Sequence, residues 1–414
     1  MIQEQEHTVT LVINQSIEMG EFGIQEAIQL FELFGLSYQE LFKQYFPIDQ
    51  FPKKYQITSQ TLPNYPFVDI QLKDLDLIPK VLSRSILIHD ILYTMSRGNT
   101  LDELSNNVLP QAMQYIQNPN LSCKCDIITS YFKITQEKRV QLIEQVFGEK
   151  GFNCQNTINL TEPDILYYLI ITKDQKYIAG CTLTKKKKRR EKNFARNYEL
   201  PNRIYLGPVS LAHDLAFLMA NQAQVQENDL VFDPFAGTGS SLVACSHFGA
   251  ICFGSEIDGY LMKGHCIGYL NKKSTYLKDP NYKQVKPYIH LNFHQYNLPT
   301  PNLIQADVHL PNFNPRIESF FDAIICDPPY GIRASIQQDG NEQDLQANRT
   351  AIYKRMFEVA RKVLRRGGRL VYLYPLFKGM EKKVDKEEGF ELIDFREQKM
   401  VDKRSRLLVT MEKL

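Results

Sequence analysis

The sequence is 414 residues long and contains no run approaching the roughly 18 apolar residues that a membrane-spanning helix needs, which excludes a helical membrane protein. Its first residues, MIQEQEH, lack the basic-then-apolar pattern of a secretory leader, so export is not expected. Cysteine is sparse, eight in all and scattered. That excludes a disulfide scaffold and predicts a reducing compartment, cytoplasmic or nuclear. The closest pair, Cys123-Lys-Cys125, is too short and isolated for a zinc site, and no metal is expected. Net charge is also small: 49 Lys and Arg against 47 Asp and Glu, or +2, which speaks against a uniformly basic nucleic-acid binder. No internal repeat is present. What remains is 43% hydrophobic and 23% charged, the composition of a folded globular protein of two or three domains.

The charge is unevenly spread. Residues 173–196 hold ten Lys or Arg and two acids, an excess of eight, so the rest of the chain carries six more acids than bases. The densest part is the run Lys185, Lys186, Lys187, Lys188, Arg189, Arg190. It fits phosphate neutralisation on RNA, a nuclear-targeting tract or a solvated linker.

Before this junction the pattern is mixed. HTVTLVINQ (7–15) is β-branched and predicts a strand, and residues 23–35 show helical spacing with Gly35 as the stop. FVDIQL and the segment after it predict strand, helix, strand. TSYFKI (129–134) predicts a strand, and TQEKRVQLIEQVF a helix with Thr135 at the cap. DILYYLII and KYIAGCTL predict a hairpin. After the junction the rhythm changes. DLVFD (229–233), ICFGSE (251–256), LIQAD (303–307), FDAIICD (321–327) and RLVYLYP (369–375) alternate with helical patterns, and most end in an acid or turn residue. This predicts an open, mostly parallel α/β sheet with its ligand at the strand C-termini. Residues 271–302 interrupt the rhythm as an insertion, and the last two segments predict a closing antiparallel pair.

Two motifs carry chemistry. Asp233-Pro-Phe-Ala-Gly-Thr-Gly-Ser240 follows a strand and opens a helix. Gly237 and Gly239 permit a sharp turn and close approach to a ligand, and Thr238 and Ser240 are candidate helix caps. The loop lacks the Walker lysine and the G-x-G-x-x-G spacing. Glu256 ends the next strand, where an acid takes the two hydroxyls of a ribose; Asp258 stands close by as an alternative. Asp307 ends LIQAD, placed to accept from an adenine amino group. The second motif is Asp327-Pro328-Pro329-Tyr330. Its prolines stiffen the backbone after the acid. Asp327 and a neighbouring carbonyl can accept both N–H bonds of an amine conjugated to a base, aiming its lone pair at an electrophile, while Tyr330 stacks on the ring. A base in a duplex must be extruded to reach such a site.

Together these residues resemble class I S-adenosylmethionine-dependent amino-methyltransferases. Arg203-Ile-Tyr-Leu-Gly-Pro-Val-Ser210, HFGA (247–250) and D-P-P-Y-G-I-R (327–333) narrow the resemblance, over about residues 194–378, to the catalytic subunit of the tRNA guanosine-10 N2-methyltransferases of eukaryotes and archaea. The resemblance implies a Rossmann-like methyltransferase domain with a seven-stranded, mostly parallel sheet over residues 201–414. It also implies an N-terminal ferredoxin-like segment (1–65), a THUMP RNA-binding domain (66–184) and a basic linker (185–200). Asp233, Phe235, Gly237, Gly239, Glu256, Asp258 and Asp307 would hold S-adenosylmethionine, Asp327 to Tyr330 the guanine N2, and Arg333 and the Lys185–Arg190 run the RNA. A small zinc-binding activator subunit is implied as partner, adding a strand to the sheet. The residues by themselves leave two alternatives: an amino-methyltransferase for DNA adenine or ribosomal RNA, and a non-catalytic RNA-binding assembly protein.

Overall fold

The structure, a computed structural model, describes residues 6–14, 19–129, 132–182, 191–266, 268, 288–308, 317–330, 342–377, 380–400 and 405–414. The chain divides into two compact units, Met1–Lys192 and Asn193–Leu414.

The first unit is built on one sheet of seven strands. They are β1 (His7–Ile13), β2 (Phe67–Leu72), β3 (Ile88–Gly98), β4 (Ser122–Thr129), β5 (Thr157–Ile158), β6 (Ile165–Ile171) and β7 (Tyr177–Thr182), in the order β2-β1-β3-β7-β6-β4-β5. β1 lies between β2 and β3, so residues on both sides of position 65 share the sheet. β6 and β7 form the predicted antiparallel pair, and every residue of β6 is buried. The predicted helix near the N-terminus runs Phe22–Leu33 and ends before Gly35 at φ +91°. Another runs Gln136–Phe147, with Thr135 Oγ1 accepting from the Lys138 N–H at 3.3 Å. Segment 129–134 departs from expectation. The strand ends at Thr129, and its body is the more polar SCKCDIIT. Parallel pairing with the fully buried β6 outweighs its poor alternation. Among the described residues three apolar clusters pack on this sheet, and two of them bring helices onto it. One joins β1, β2 and β3 to the Phe22–Leu33 and Leu77–Arg84 helices; the other joins β4, β6 and β7 to the Leu101–Asn106 and Gln136–Phe147 helices.

The second unit has β8 (Leu230–Asp233), β9 (Ile251–Glu256), β10 (Asn302–Gln305), β11 (Phe321–Cys326), β12 (Leu364–Leu376), β13 (Phe390–Lys399) and β14 (Ser405–Lys413). Their order is β10-β9-β8-β11-β12-β14-β13. Pairings from β10 to β12 are parallel, and β14 runs antiparallel to both its neighbours. This is the Rossmann-like, mostly parallel seven-stranded sheet that the resemblance implies, with the closing antiparallel pair that the last two segments predict. The middle strands are covered on both faces and so read as unbroken apolar runs: in FDAIIC, Ala323 to Cys326 are all buried. One face packs Phe232, Ile324, Leu370, Tyr372 and Val409 against Tyr353, Met356, Ala360 and Val363 of the long Glu342–Val363 helix. Burying each such side chain contributes roughly 1.5–3 kcal/mol. Lys413 Nζ caps that helix by donating to the carbonyls of Arg361 and Leu364, both at 2.5 Å, where the helix dipole favours a cation.

The chain order reverses beside β8, whose neighbours are β9 on one side and β11 on the other. Strands diverge there at their C-terminal ends, leaving a crevice, the usual ligand site of such sheets. Asp233, Glu256 and Asp327 all stand on that edge, each at the end of its strand.

Candidate active site

The glycine loop turns on two left-handed residues, Gly237 at φ +54° and Gly239 at φ +77°. A side chain is strained at either position. A Cβ at Gly237 would meet nothing closer than Phe235 O at 3.9 Å, so the loop presents open backbone there. A Cβ at Gly239 would press on Ile289 Cγ2 at 3.2 Å and on Phe293 at 3.4 Å. The Ser240–His247 helix starts with Gly239 as its N-cap and no side-chain cap. Thr238 and Ser240 are therefore not the caps their positions predict, because other partners engage them. Thr238 Oγ1 bonds Ser210 Oγ at 3.0 Å, and Ser240 Oγ accepts from Arg203 Nη1 at 2.6 Å.

Asp233 is buried beneath this loop. Its Oδ1 accepts the Phe235 N–H at 2.8 Å and its Oδ2 accepts the Ser241 hydroxyl. Burial pushes its carboxyl up to about 7, with help from the nearby Glu256 and Asp327 charges, although the two donors pull the other way. Glu256 braces the loop from the next strand. Its Oε2 accepts the Gly237 N–H at 2.9 Å and its Oε1 the Asp258 N–H at 3.0 Å. Asp258 itself is spent on the short Gly259–Met262 helix, whose first N–H groups donate to its Oδ1 from Tyr260 at 2.8 Å and Leu261 at 3.2 Å. Phe235 is half-buried. Asp307 is half-buried two residues beyond Gln305, which pairs with Glu256 across β10 and β9.

Asp327 leaves the end of β11 with its side chain about a quarter exposed. Its Oδ1 accepts the Tyr330 hydroxyl at 2.5 Å. Burial raises its carboxyl, while the Arg406 guanidinium and the Tyr330 hydroxyl hold it down. Pro328 is buried and Pro329 exposed. A cavity of about 820 Å3 lies beside Tyr330, lined by Tyr353, Tyr374 and Phe377, the cations Arg349, Lys354 and Lys383, and the acids Asp385 and Glu387. The Arg349 guanidinium sits 3.9 Å from the centre of the Phe377 ring. Rings and cations of this kind accept stacked bases and their phosphates.

Sequence reading left two groups of residues unassigned. Arg203 is 1% exposed and reaches Ser240 from behind the loop. Its segment is pinned by Asn292, which accepts the Tyr205 N–H and donates to Tyr205 O, both at 2.9 Å. A buried arginine inside an apolar stretch was the available signal. The second is Arg406 on β14, 3.1 Å from the Tyr330 hydroxyl and 3.6 Å from Asp327 Oδ2. His247 stacks on Phe194 with ring centres 4.7 Å apart and bonds Tyr198 Oη at 2.9 Å. Arg333, the Lys185–Arg190 run and residues 271–287 of the insertion lie outside the described residues. Among the described residues no cluster of His, Cys, Asp or Glu could hold a metal ion, and no helix is long and apolar enough to cross a membrane.

Open backbone at Gly237, a strand-end carboxylate beside it and a carboxylate–tyrosine pair across the crevice fit a nucleoside-bearing methyl donor on one side and an amine on the other. The family model described as "RMKL-like, methyltransferase domain" matches residues 291–401. The human protein named tRNA (guanine(10)-N(2))-methyltransferase TRMT11 is 27% identical over 398 residues, 88% of this chain and 83% of that protein. The Saccharomyces cerevisiae tRNA (guanine(10)-N(2))-methyltransferase is 31% identical over 290 residues, 67% of this chain and 62% of its own. Among solved structures, TrmN from Thermus thermophilus aligns over 99% of this chain and all of its own, at 14% identity and a TM-score of 0.42.

Proposed function

We propose that the chain is an S-adenosylmethionine-dependent methyltransferase acting on the exocyclic N2 of guanosine 10 in tRNA. One observation carries this: Asp327 and Tyr330 meet at 2.5 Å beside the crevice whose other wall is the Gly237–Glu256 loop contact. S-adenosylmethionine, when bound, supplies a methyl group made electrophilic by its sulfonium. Glu256 is placed for the ribose hydroxyls, Asp307 for the adenine, and the Asp233 loop with Phe235, Gly237 and Gly239 for the rest of the cofactor.

The chain's own residues then do the orienting. Guanine N2 is a poor nucleophile because its lone pair is delocalised into the ring. Asp327 accepts one N–H through an oxygen with spare lone pairs, and a carbonyl of the rigid Asp-Pro-Pro backbone accepts the other. The lone pair is thereby localised and aimed, and positive charge growing on nitrogen is met by the carboxylate. Tyr330 limits how the base can lie, and the neighbouring cavity, with its rings and cations, suits the RNA on either side. The amine's extra proton leaves to solvent after transfer.

The first unit is read as the RNA-gripping part, a ferredoxin-like segment followed by a THUMP domain; because β1 pairs with β2 and β3, the boundary between them is read as lying beyond residue 65. Arg333 and the Lys185–Arg190 run are assigned to the RNA backbone. The sheet edge at β10 suits a strand-adding partner such as a small zinc-binding activator subunit. β10 is an outer strand, with Ile304 58% exposed on it, and an apolar edge of this kind is covered in stable assemblies.

The test is transfer of labelled methyl groups to a tRNA transcript, to ribosomal RNA fragments and to adenine-containing DNA, with cofactor binding measured in parallel. Label in tRNA alone is expected. Label in DNA or ribosomal RNA but not tRNA would overturn the substrate assignment, and no cofactor binding would favour an assembly role.

A further inference from the structure

β14 is the antiparallel strand of the second sheet. Its direction has a consequence for the site. Parallel strands deliver their C-terminal residues to the reactive edge, and an antiparallel strand delivers its N-terminal ones. The second residue of β14 is Arg406, and it arrives at the edge where β11 releases Asp327.

Its setting is built. Across the sheet Arg406 stands opposite Gln398 on β13 and Pro375 on β12. Gln398 is 5% exposed, and its Oε1 accepts Arg406 Nε at 2.8 Å, which fixes the plane of the guanidinium. From that plane Nη1 donates to Tyr330 Oη at 3.1 Å and lies 3.6 Å from Asp327 Oδ2, an ion pair rather than a hydrogen bond. The side chain is 12% exposed, so water screens the pair only in part. A lysine has one charged atom and cannot serve Gln398 through Nε while reaching the tyrosine and carboxylate through Nη1.

We propose that Arg406, held by Gln398, is a positioning residue that fixes the Asp327–Tyr330 pair and keeps the Asp327 carboxylate ionised for its amine. This rests on the methyltransferase reading given above. Among the described residues Arg406 is the cation at that carboxylate. Among the described residues the other groups facing it are the Tyr330 hydroxyl from its own loop, the buried Asp233 from β8, Cys326 from β11 and the Tyr353 hydroxyl from the long helix. None of these adds positive charge, and an ionised Asp233 disfavours a second carboxylate. Without Arg406, burial would hold the proton on Asp327 to higher pH, and a protonated carboxyl accepts poorly from an amine.

Two readouts test this. The first needs no methyl transfer: the carboxyl carbon of Asp327 is titrated by NMR in the full chain and in Arg406→Gln and Arg406→Lys. Arg406→Gln should raise the Asp327 midpoint, and Arg406→Lys should bring it most of the way back. An unchanged midpoint in Arg406→Gln overturns the proposal. The second is kinetic. Arg406→Gln should lower kcat for tRNA about tenfold or more and move its acidic limb to higher pH, with cofactor affinity within about twofold of the wild type. On an Asp327→Asn background it should cost nothing further. An equal loss on that background, or a loss explained by weaker cofactor binding, would make Arg406 merely structural. If the wild-type chain methylates no tRNA, the functional reading fails while the titration still decides the role of Arg406.

Discussion

Replacing Asp327 with alanine removes both oxygens proposed to aim the acceptor amine. The surrounding contacts survive in part. Tyr330 Oη keeps its 3.1 Å bond from Arg406, and Arg406 keeps Gln398 at 2.8 Å, so the hairpin and loop should stay in place. Because burial already raises this carboxyl, losing its charge relieves a desolvation cost. Lost contacts and relieved cost oppose each other, and the net change in stability should stay within about 1 kcal/mol. The rate is another matter. A preorganised electrostatic partner of the reacting atom is worth about 3–4 kcal/mol, or roughly 10² to 10³ in kcat. Glu256 and the glycine loop are untouched, so cofactor affinity should hold. The assay pairs calorimetric titration of S-adenosylmethionine with single-turnover methyl transfer to tRNA. Normal transfer by Asp327→Ala would refute the assigned role. Loss of cofactor binding in step with the rate would show that the residue belongs to the wrong side of the crevice.

Glu256→Ala deletes the acceptor for the Gly237 and Asp258 N–H groups and should weaken cofactor binding by about 10- to 100-fold, with kcat at saturating cofactor changed far less, as read by titration and steady-state kinetics. Asp233 has a folded-state value of about 7 against 3.8 for the free group, so the folded chain holds its proton more tightly than the unfolded one. The stabilisation from this group is full below about pH 4 and is lost as pH rises through about 7, on the order of 4 kcal/mol at most. Thermal unfolding of the cofactor-free chain should therefore shift downward over that window, and Asp233→Asn should flatten the shift. Gly239→Ala combines left-handed strain with the 3.2 Å contact to Ile289 and should lower the melting temperature as well as cofactor affinity. Ile304→Lys places a charge on the β10 edge and should abolish co-purification with the proposed zinc-binding subunit while sparing cofactor binding; an unchanged complex would count against a partner at this edge.

Local chemistry made much of this legible. Asp233, Glu256 and Asp327 each close a short apolar run, and alternation of such runs with helical patterns implies a parallel sheet whose strand ends share one edge. The glycines at 237 and 239 announced a turn that the φ angles bear out. What escaped lay in tertiary contact. Arg406 stands 76 residues beyond Tyr330, and only the antiparallel course of β14 brings them together. Its one local signal was an arginine opening a strand whose next five residues are buried. Thr238 and Ser240 looked like caps because their types and positions suit capping, yet Ser210 and the buried Arg203 claim them first. Strand β4 was placed too late because Cys, Lys and Asp at 123–126 break the alternation, and only its pairing with β6 makes it a strand.

The most direct measurement is nucleoside mass spectrometry with site mapping on a tRNA transcript, after incubation with the chain, isotopically labelled S-adenosylmethionine and the proposed zinc-binding subunit. Labelled N2-methylguanosine at position 10, formed about 10²-fold or more slowly with Asp327→Ala, is the expected result. Label on an adenine, on another guanosine, or at the same level in the Asp327→Ala reaction would contradict it.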